Sequence, residues 1–487
     1  MRRNSRGMSK KTWFALGLIA GISVLLGFFT LTRGHPWWDD FAGYLLQARS
    51  ILTWRMGDFI RQNTFTIENS SFPPGPVAYP WGFPLLLAPA SALFGLNPLA
   101  LKLVGLFFYA VSLVSLFFLA RSRLTDAQAL LLTGALGFLP VMIAANDLIL
   151  SDIPFLAFST ISLVLIDRLP FDDKRTGILA GAAIFMAFFM CTNGILLLAP
   201  LLLSALSAAW PDRAAGLKKT IPAFLPFASL AVLQMLIFPG GQASYFSHFN
   251  MLSLPRLVDN FLYYLWLPAA VFDQIPGGAV LYPLLMVFVL FSFFRNPRRD
   301  LALHFYSLLT LALFIVWPER QGLRFIYPVL PFFFISALDG MNLAVEYLQV
   351  GWQPGGRGLV WGLWLLLLAA GLGLSALSAY HNVLDGRVIN GPFDSYSYEM
   401  YTFVKEKTPS TGVIIFVKPR ALRLFTERSS FMTDQCSDLT KADYVALNLK
   451  MDNSGQIPPD KITACGSGVN LSQVFQNKRF VVYKINR

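Results

Sequence analysis

Apolar residues along this chain run in blocks of 15 to 24, separated by short polar turns that are often basic. A bilayer crossing needs about 20 apolar residues, sometimes as few as 17. On that rule the pattern predicts eleven spans, near 12–31, 99–120, 126–145, 152–168, 177–191, 194–210, 220–238, 279–294, 301–317, 323–338 and 358–380. Two further apolar stretches are assigned to the interface: 82–96 is short and proline-punctuated, and 260–275 is interrupted by Pro268 and Asp273. From about 381 the pattern changes. Short β-rich runs such as Val413-Ile-Ile-Phe-Val417, Asp443-Tyr-Val-Ala-Leu447 and Arg479-Phe-Val-Val-Tyr483 alternate with turn residues, which predicts a small α/β domain of about 100 residues. The expected fold class is mainly α: a polytopic membrane protein of about eleven transmembrane helices over 1–380, with a C-terminal α/β domain over 381–487.

Composition sharpens this. Hydrophobic residues make up 55% of the chain and charged residues 14%, against roughly 25% charged in a soluble domain. A plain cytosolic enzyme, a coiled coil, a disordered chain and a disulfide-rich secreted domain are excluded. The net charge of +12 does not point to nucleic acid, because the excess sits in short loops beside apolar segments and no nucleic-acid-binding signature accompanies it. Of the 25 basic residues before 381, seventeen fall in the N-terminal stretch and alternate short loops, from Arg2 to Arg357. The other eight, Arg33, Arg49, Arg55, Arg61, Lys102, Arg256, Arg320 and Arg324, fall on the opposite side, mostly in the long first loop of about 33–81, where interfacial helices are expected. Short loops carry the orientation signal, so the expected topology in the cytoplasmic membrane is N-terminus inside, C-terminal domain outside. The first apolar run is longer than a signal-peptide core and no small-x-small site follows it, so it is taken as an anchor.

Three cysteines and four scattered histidines (His35, His248, His304, His381) do not make a zinc site. Cys191 lies in a span and is expected to be a free buried thiol. Cys436 and Cys465 lie in the outer domain, where a bridge is the expected state, since exposed free thiols outside the cell are avoided. Asn69-Ser-Ser71 and Asn470-Leu-Ser472 match the glycosylation triplet, a pattern common by chance.

Ionisable residues at membrane depth are costly and mark functional sites. The first outer loop opens with His35-Pro-Trp-Trp-Asp-Asp-Phe-Ala-Gly-Tyr44. Adjacent carboxylates raise one another's pKa, which suits a general base; the alternative is a solvated helix N-terminus beside interfacial tryptophans. A later turn reads Asn146-Asp147-Leu-Ile-Leu-Ser151-Asp152-Ile-Pro154, where Ser151 or Asp152 either caps a helix or adds an acidic group on the same side as Asp39 and Asp40. Before the tenth span comes Trp317-Pro-Glu-Arg-Gln-Gly-Leu-Arg324-Phe-Ile-Tyr-Pro. Arginine is suited to bidentate phosphate contacts, so Arg320 and Arg324 bind an anion or pair internally with Glu319 or Asp152. The loop also holds Pro73-Pro-Gly-Pro76 and Tyr79-Pro-Trp-Gly-Phe-Pro84, a rigid course whose aromatics pack the loop or stack on a sugar or apolar chain. Tyr44, Tyr79, Trp81 and Tyr327 are the expected lining of a substrate cavity. No Gly-rich phosphate loop, GxSxG elbow or HExxH pattern occurs.

A paired acidic motif after the first span, a Ser-Asp near the fourth and Arg-Phe-Ile-Tyr-Pro late in the bundle together resemble the GT-C glycosyltransferases, in the branch of protein O-mannosyltransferases and lipid A aminoarabinose transferases. Lys418-Pro-Arg-Ala-Leu-Arg-Leu-Phe-Thr-Glu-Arg428 resembles a segment common in the outer domain of bacterial relatives. The resemblance implies transfer of one sugar from a polyprenyl-phosphate carrier to a lipid, glycan or protein acceptor outside the membrane. It implies Asp39 as general base, Asp40 as its pair, Asp152 as a further acidic residue, and Arg324 with Arg320 on the carrier phosphate. Two features depart from that branch: Tyr79-Pro80 stands where aminoarabinose transferases carry a lysine and two prolines, and there is no room for the extra lumenal domain of the mannosyltransferases. Oligosaccharyltransferases of the same superfamily use a divalent cation, but no matching acidic set is present, so no cofactor is expected. The rival readings are a lipid-linked-sugar flippase, which would show inverted repeats, and a polysaccharide polymerase, whose long loop would lie late in the bundle.

Overall fold

The structure is a computed structural model and describes residues 7–72, 74–168, 173–208, 212–240, 253–295, 300–348, 350–451, 455–465 and 470–486. Arg2, Arg3, Arg6, Pro73, His248, Arg298 and Arg299 lie outside the described residues. The helices are α1 (Lys10–Thr30), α2 (Asp40–Leu52), α3 (Met56–Asn69), α4 (Gly82–Phe94), α5 (Pro98–Arg121), α6 (Asp126–Gly137), α7 (Pro140–Ala144), α8 (Asp152–Arg168), α9 (Lys174–Met190), α10 (Leu198–Ala208), α11 (Arg213–Ile237), α12 (Leu254–Trp266), α13 (Gly278–Arg295), α14 (Leu301–Val316), α15 (Leu330–Glu346) and α16 (Gln353–His381).

The protein is a multi-pass membrane protein. Among the described residues six helices are long and apolar enough to cross a bilayer, seven when the bent pair Asp126–Gly137 and Pro140–Asp147 is taken as one. The 59° bend in that pair falls at Pro140, which restricts the preceding residue and cannot donate into a continuous helix. Every segment read as a span lies largely on helical structure, several of them on helices of 17 residues or fewer, with residues 209–210 of the segment 194–210 outside the described residues. Short polar groups cap the ends: the Ser9 hydroxyl accepts from Thr12 N, and Thr125 with Gln128 forms a capping box. In the bundle α5 packs on α8, α8 on α9, α9 on α11 and α13 on α15. At one end Arg123 pairs with Asp167 and with Asp300 (2.6 Å), which joins three turns assigned to a single side of the membrane. The stretch read as interfacial near 260–275 begins on α12, whose exposed Leu254, Val258, Phe261, Leu262, Leu265 and Trp266 give it an apolar outer face.

After α16 come α17 (Ser395–Lys407), β1 (Val413–Ile415), α18 (Pro419–Thr426), β2 (Ser429–Phe431), β3 (Tyr444–Asn448), β4 (Asn470–Gln476) and β5 (Phe480–Asn486). The sheet order is β2-β1-β3-β5-β4, with β1 parallel to β2 and β3 and the remaining pairs antiparallel. Alternation along the strands splits the core in two: Ile414, Ala446 and Val482 face α17, while Ile415, Val445 and Val481 pack with Leu439 and Ile462. Cys436 and Cys465 are bridged, with Cα atoms 5.3 Å apart. Cys191 is free but half-buried, at the end of α9, and not the enclosed thiol expected.

Candidate active site

The end of the bundle away from Arg123 gathers the loop after α1, the turn between α7 and α8, and the turn before α15. A buried network ties the first two together. Lys102, from the start of α5, donates to Asp147 Oδ1 (2.6 Å) and to the carbonyls of Thr32 (2.9 Å) and Gly34 (2.7 Å). The His35 ring lies 2.8 Å from the Pro36 carbonyl through Nδ1, while Nε2 accepts from Ile149 N (3.1 Å). Burial pushes the His35 pKa down to about 3, so the ring is neutral and holds this tautomer. The backbones that carry Asp39, Asp40 and Asp152 are thereby held against one another.

Asp40, Asp152 and Arg324 meet. Arg324 donates from Nη1 to Asp40 Oδ2 (2.9 Å) and from Nε to Asp152 Oδ1 (3.3 Å). Its guanidinium also lies over the Trp38 ring at 5.8 Å. The three side chains keep 17–23% of their surface exposed, so the cluster is recessed yet open. The Tyr79 hydroxyl donates to the other oxygen of Asp40 (2.7 Å). Tyr79 is fixed in turn by Gln47, which bonds both its N–H (3.0 Å) and its carbonyl (2.9 Å), and by the Tyr44 ring at 4.6 Å. The Ser151 hydroxyl lies 3.0 Å from the Tyr44 hydroxyl. Tyr327 is buried within Coulombic reach of Asp152 and Arg324.

Asp39 and Asp40 are adjacent in sequence but not in environment. Burial raises the Asp40 pKa, yet Arg324 and the Tyr79 hydroxyl outweigh it and hold the carboxyl below the usual range. Asp39 is turned the other way, 6% exposed and 3.6 Å from Arg420 Nε. Its burial dominates and pushes the pKa up, with Arg420, Lys418 and the Ala421 N–H pulling back only in part. The solvated helix N-terminus considered from sequence is not what forms, because Asp40 is held between Arg324 and Tyr79.

Two expected site residues are elsewhere. Arg320 pairs with Asp259, donates to Asn260 Oδ1 (3.0 Å), lies over the Tyr263 ring at 4.5 Å, and lines a separate open cleft of about 860 Å3. Trp81 is buried: it stacks on Phe238 at 5.2 Å and donates to the Pro239 carbonyl at 3.2 Å. Arg420 was given no role from sequence, although it lies in the Lys418–Arg428 stretch; no local pattern pairs it with residues almost 400 positions earlier. Among the described residues no group of three or more His, Cys, Asp or Glu is arranged to hold a metal ion.

No family model and no curated protein sequence matches the chain. Among solved structures it is similar to ArnT from Cupriavidus metallidurans bound to undecaprenyl phosphate, with TM-score 0.60, 15% identity and 98% of both chains covered. It is also similar to the Archaeoglobus fulgidus oligosaccharyltransferase in the apo form, with TM-score 0.57, 11% identity, and 98% of this chain and 74% of that one covered. The chain shares the fold of these two structures, the GT-C fold that the sequence resemblance implied.

Proposed function

We propose that the protein is a membrane glycosyltransferase that moves a single sugar from a polyprenyl-phosphate carrier to a hydroxyl-bearing acceptor at the outer face of the cytoplasmic membrane. The observation that carries this reading is the convergence of Asp40, Asp152 and Arg324 on one recessed, open cluster within a GT-C fold. The oxygen of the acceptor hydroxyl attacks the anomeric carbon while the bond from that carbon to the phosphate oxygen breaks. The bonding pair leaves on the phosphate, and the acceptor's proton passes to a carboxylate. A fixed guanidinium at the leaving phosphate stabilises the transition state more than the ground state, because the charge grows as the bond breaks. An acidic base on the opposite side of the sugar fits inversion.

In this reading Asp40, rather than Asp39, is the base, since Asp39 is walled off against Arg420. Arg324 is shared by two carboxylates before substrate arrives. A carrier phosphate competes for that guanidinium, and the loosened Asp40 then gains proton affinity, so donor binding activates the base. Arg320 is not part of this reading.

The test is to incubate purified protein with a panel of polyprenyl-phosphate sugars and measure which is consumed and which polyprenyl phosphate is released. The reading expects one donor to be turned over, with the rate unchanged after exhaustive EDTA treatment, since no cofactor is assigned. Consumption of none, or transport of an intact lipid-linked sugar between leaflets, would sink it.

Orientation has its own check. In intact cells, a membrane-impermeant reductant should make Cys436 and Cys465 reactive to an impermeant maleimide. Labelling found only in inverted vesicles would reverse the assigned topology.

A further inference from the structure

The C-terminal α/β unit places one side chain against the acidic pair at the head of α2. Arg420 lies in the first turn of α18, and its side chain is fully buried. It donates from Nε to Asn63 Oδ1 (3.2 Å), from Nη1 to the Pro74 carbonyl (3.3 Å) and the Tyr79 hydroxyl (3.0 Å), and from Nη2 to the Pro76 carbonyl. The first outer loop is shaped around this guanidinium. Gly75 sits at φ +130°, and a Cβ there would come within 3.1 Å of Arg420 Nη1 and 2.8 Å of the Tyr79 hydroxyl.

The contacts have a direction. The Tyr79 hydroxyl has one proton; it accepts from Arg420 and therefore aims that proton at Asp40 Oδ1. The same guanidinium lies 3.6 Å from Asp39 Oδ2. We infer that Arg420 is a positioning residue for the acidic pair, acting on Asp40 through Tyr79, so that the C-terminal unit completes the active site. This rests on the reading of Asp40 as the base. An ammonium at this position keeps the charge but cannot reach the Tyr79 hydroxyl and the two loop carbonyls at once.

Arg423, one turn further along α18, supplies the control. It is buried in the same interface and donates to Asn63 Oδ1 (2.9 Å) and Thr66 Oγ1 (3.3 Å), but it makes no hydrogen bond to Tyr79, Asp39 or Asp40 among the described residues. Burial, with Arg420 beside it, pulls its pKa down to about 9, and Arg423→Met removes its contacts to Asn63 and Thr66 while leaving the Arg420–Tyr79–Asp40 contacts in place.

The experiment uses the full chain in nanodiscs, with Arg420→Lys, Tyr79→Phe, the double variant and Arg423→Met. Arg420→Lys and Tyr79→Phe should each lower kcat by about 10- to 100-fold, as misplacement of a reacting group does. KM for the donor and binding of undecaprenyl phosphate should stay within about threefold. The double variant should be little worse than either single one, because both break one relay, and Arg423→Met should keep kcat within about threefold. Wild-type kcat in Arg420→Lys overturns the inference. So does an equal loss in Arg423→Met, or release of the C-terminal unit to limited trypsin digestion in Arg420→Lys, since either outcome makes the residue one of docking only. A substrate-free readout keeps this separate from the function. The infrared carboxylate band that Asp40→Asn removes should shift in Arg420→Lys and not in Arg423→Met. A wild-type protein that consumes no donor sinks the functional reading, while the band shift still decides the contact.

Discussion

Asp40→Asn is expected to reduce turnover by at least about 100-fold, the loss that follows removal of a general base, while undecaprenyl phosphate still binds. Asparagine keeps the volume, and its one amide oxygen can still accept from either the Tyr79 hydroxyl or Arg324, which now contact the two Asp40 oxygens at 2.7 and 2.9 Å. What it cannot do is take a proton. Asp39→Asn should cost less, because that carboxylate is enclosed and reaches the cluster only through Arg420. The pH profile adds a separate check. Arg324 and Tyr79 hold Asp40 below the usual carboxylate range against the effect of burial, so its proton-accepting form persists as pH falls. The acid limb of kcat/KM for free wild-type enzyme should therefore lie below the range usual for a free carboxylate. Near-wild-type turnover in Asp40→Asn would falsify the proposed mechanism, and a larger loss in Asp39→Asn would return the role of base to Asp39.

Arg324→Ala is expected to do the most damage. In the proposed mechanism it removes the cation that faces the leaving phosphate, a loss worth about 100- to 1,000-fold in kcat by analogy with other preorganised donors. It also leaves Asp40 and Asp152, which this one guanidinium now bridges, as uncompensated like charges, so donor KM should rise as well. Arg324→Lys should recover only part of the activity, because one ammonium cannot make the two-pronged contact. Steady-state kinetics on all three proteins, with size-exclusion profiles to show that each remains folded, decides the point. Full activity in the lysine variant would reduce Arg324 to a point charge.

The helices were legible because the demand that makes them is local. Each stretch in the bilayer must satisfy its own backbone within the segment and present apolar side chains to lipid, so a run of apolar residues reports a helix with no knowledge of its neighbours. The bend at Pro140 follows from one residue. Strands β1, β3 and β5 were readable as buried β-branched and aromatic runs, whereas β2 is three residues long and β4 is a largely exposed edge, so neither carries an apolar signature.

The candidate site was legible in its residues and not in their contacts. Asp39, Asp40, Asp152 and Arg324 stood out because charge is rare in such a chain. Their roles did not stand out, because a role depends on partners, and those lie far off: Arg324 is 284 residues from Asp40 and 172 from Asp152. Two adjacent aspartates have equal claims in one dimension. Only the packed chain turns one toward Arg324 and Tyr79 and buries the other against Arg420, sends Arg320 to Asp259, and draws Trp81 into the core. The bilayer's cost is charged to each segment separately and can be read from the chain, while ion pairing is settled between segments and exists only once they have packed.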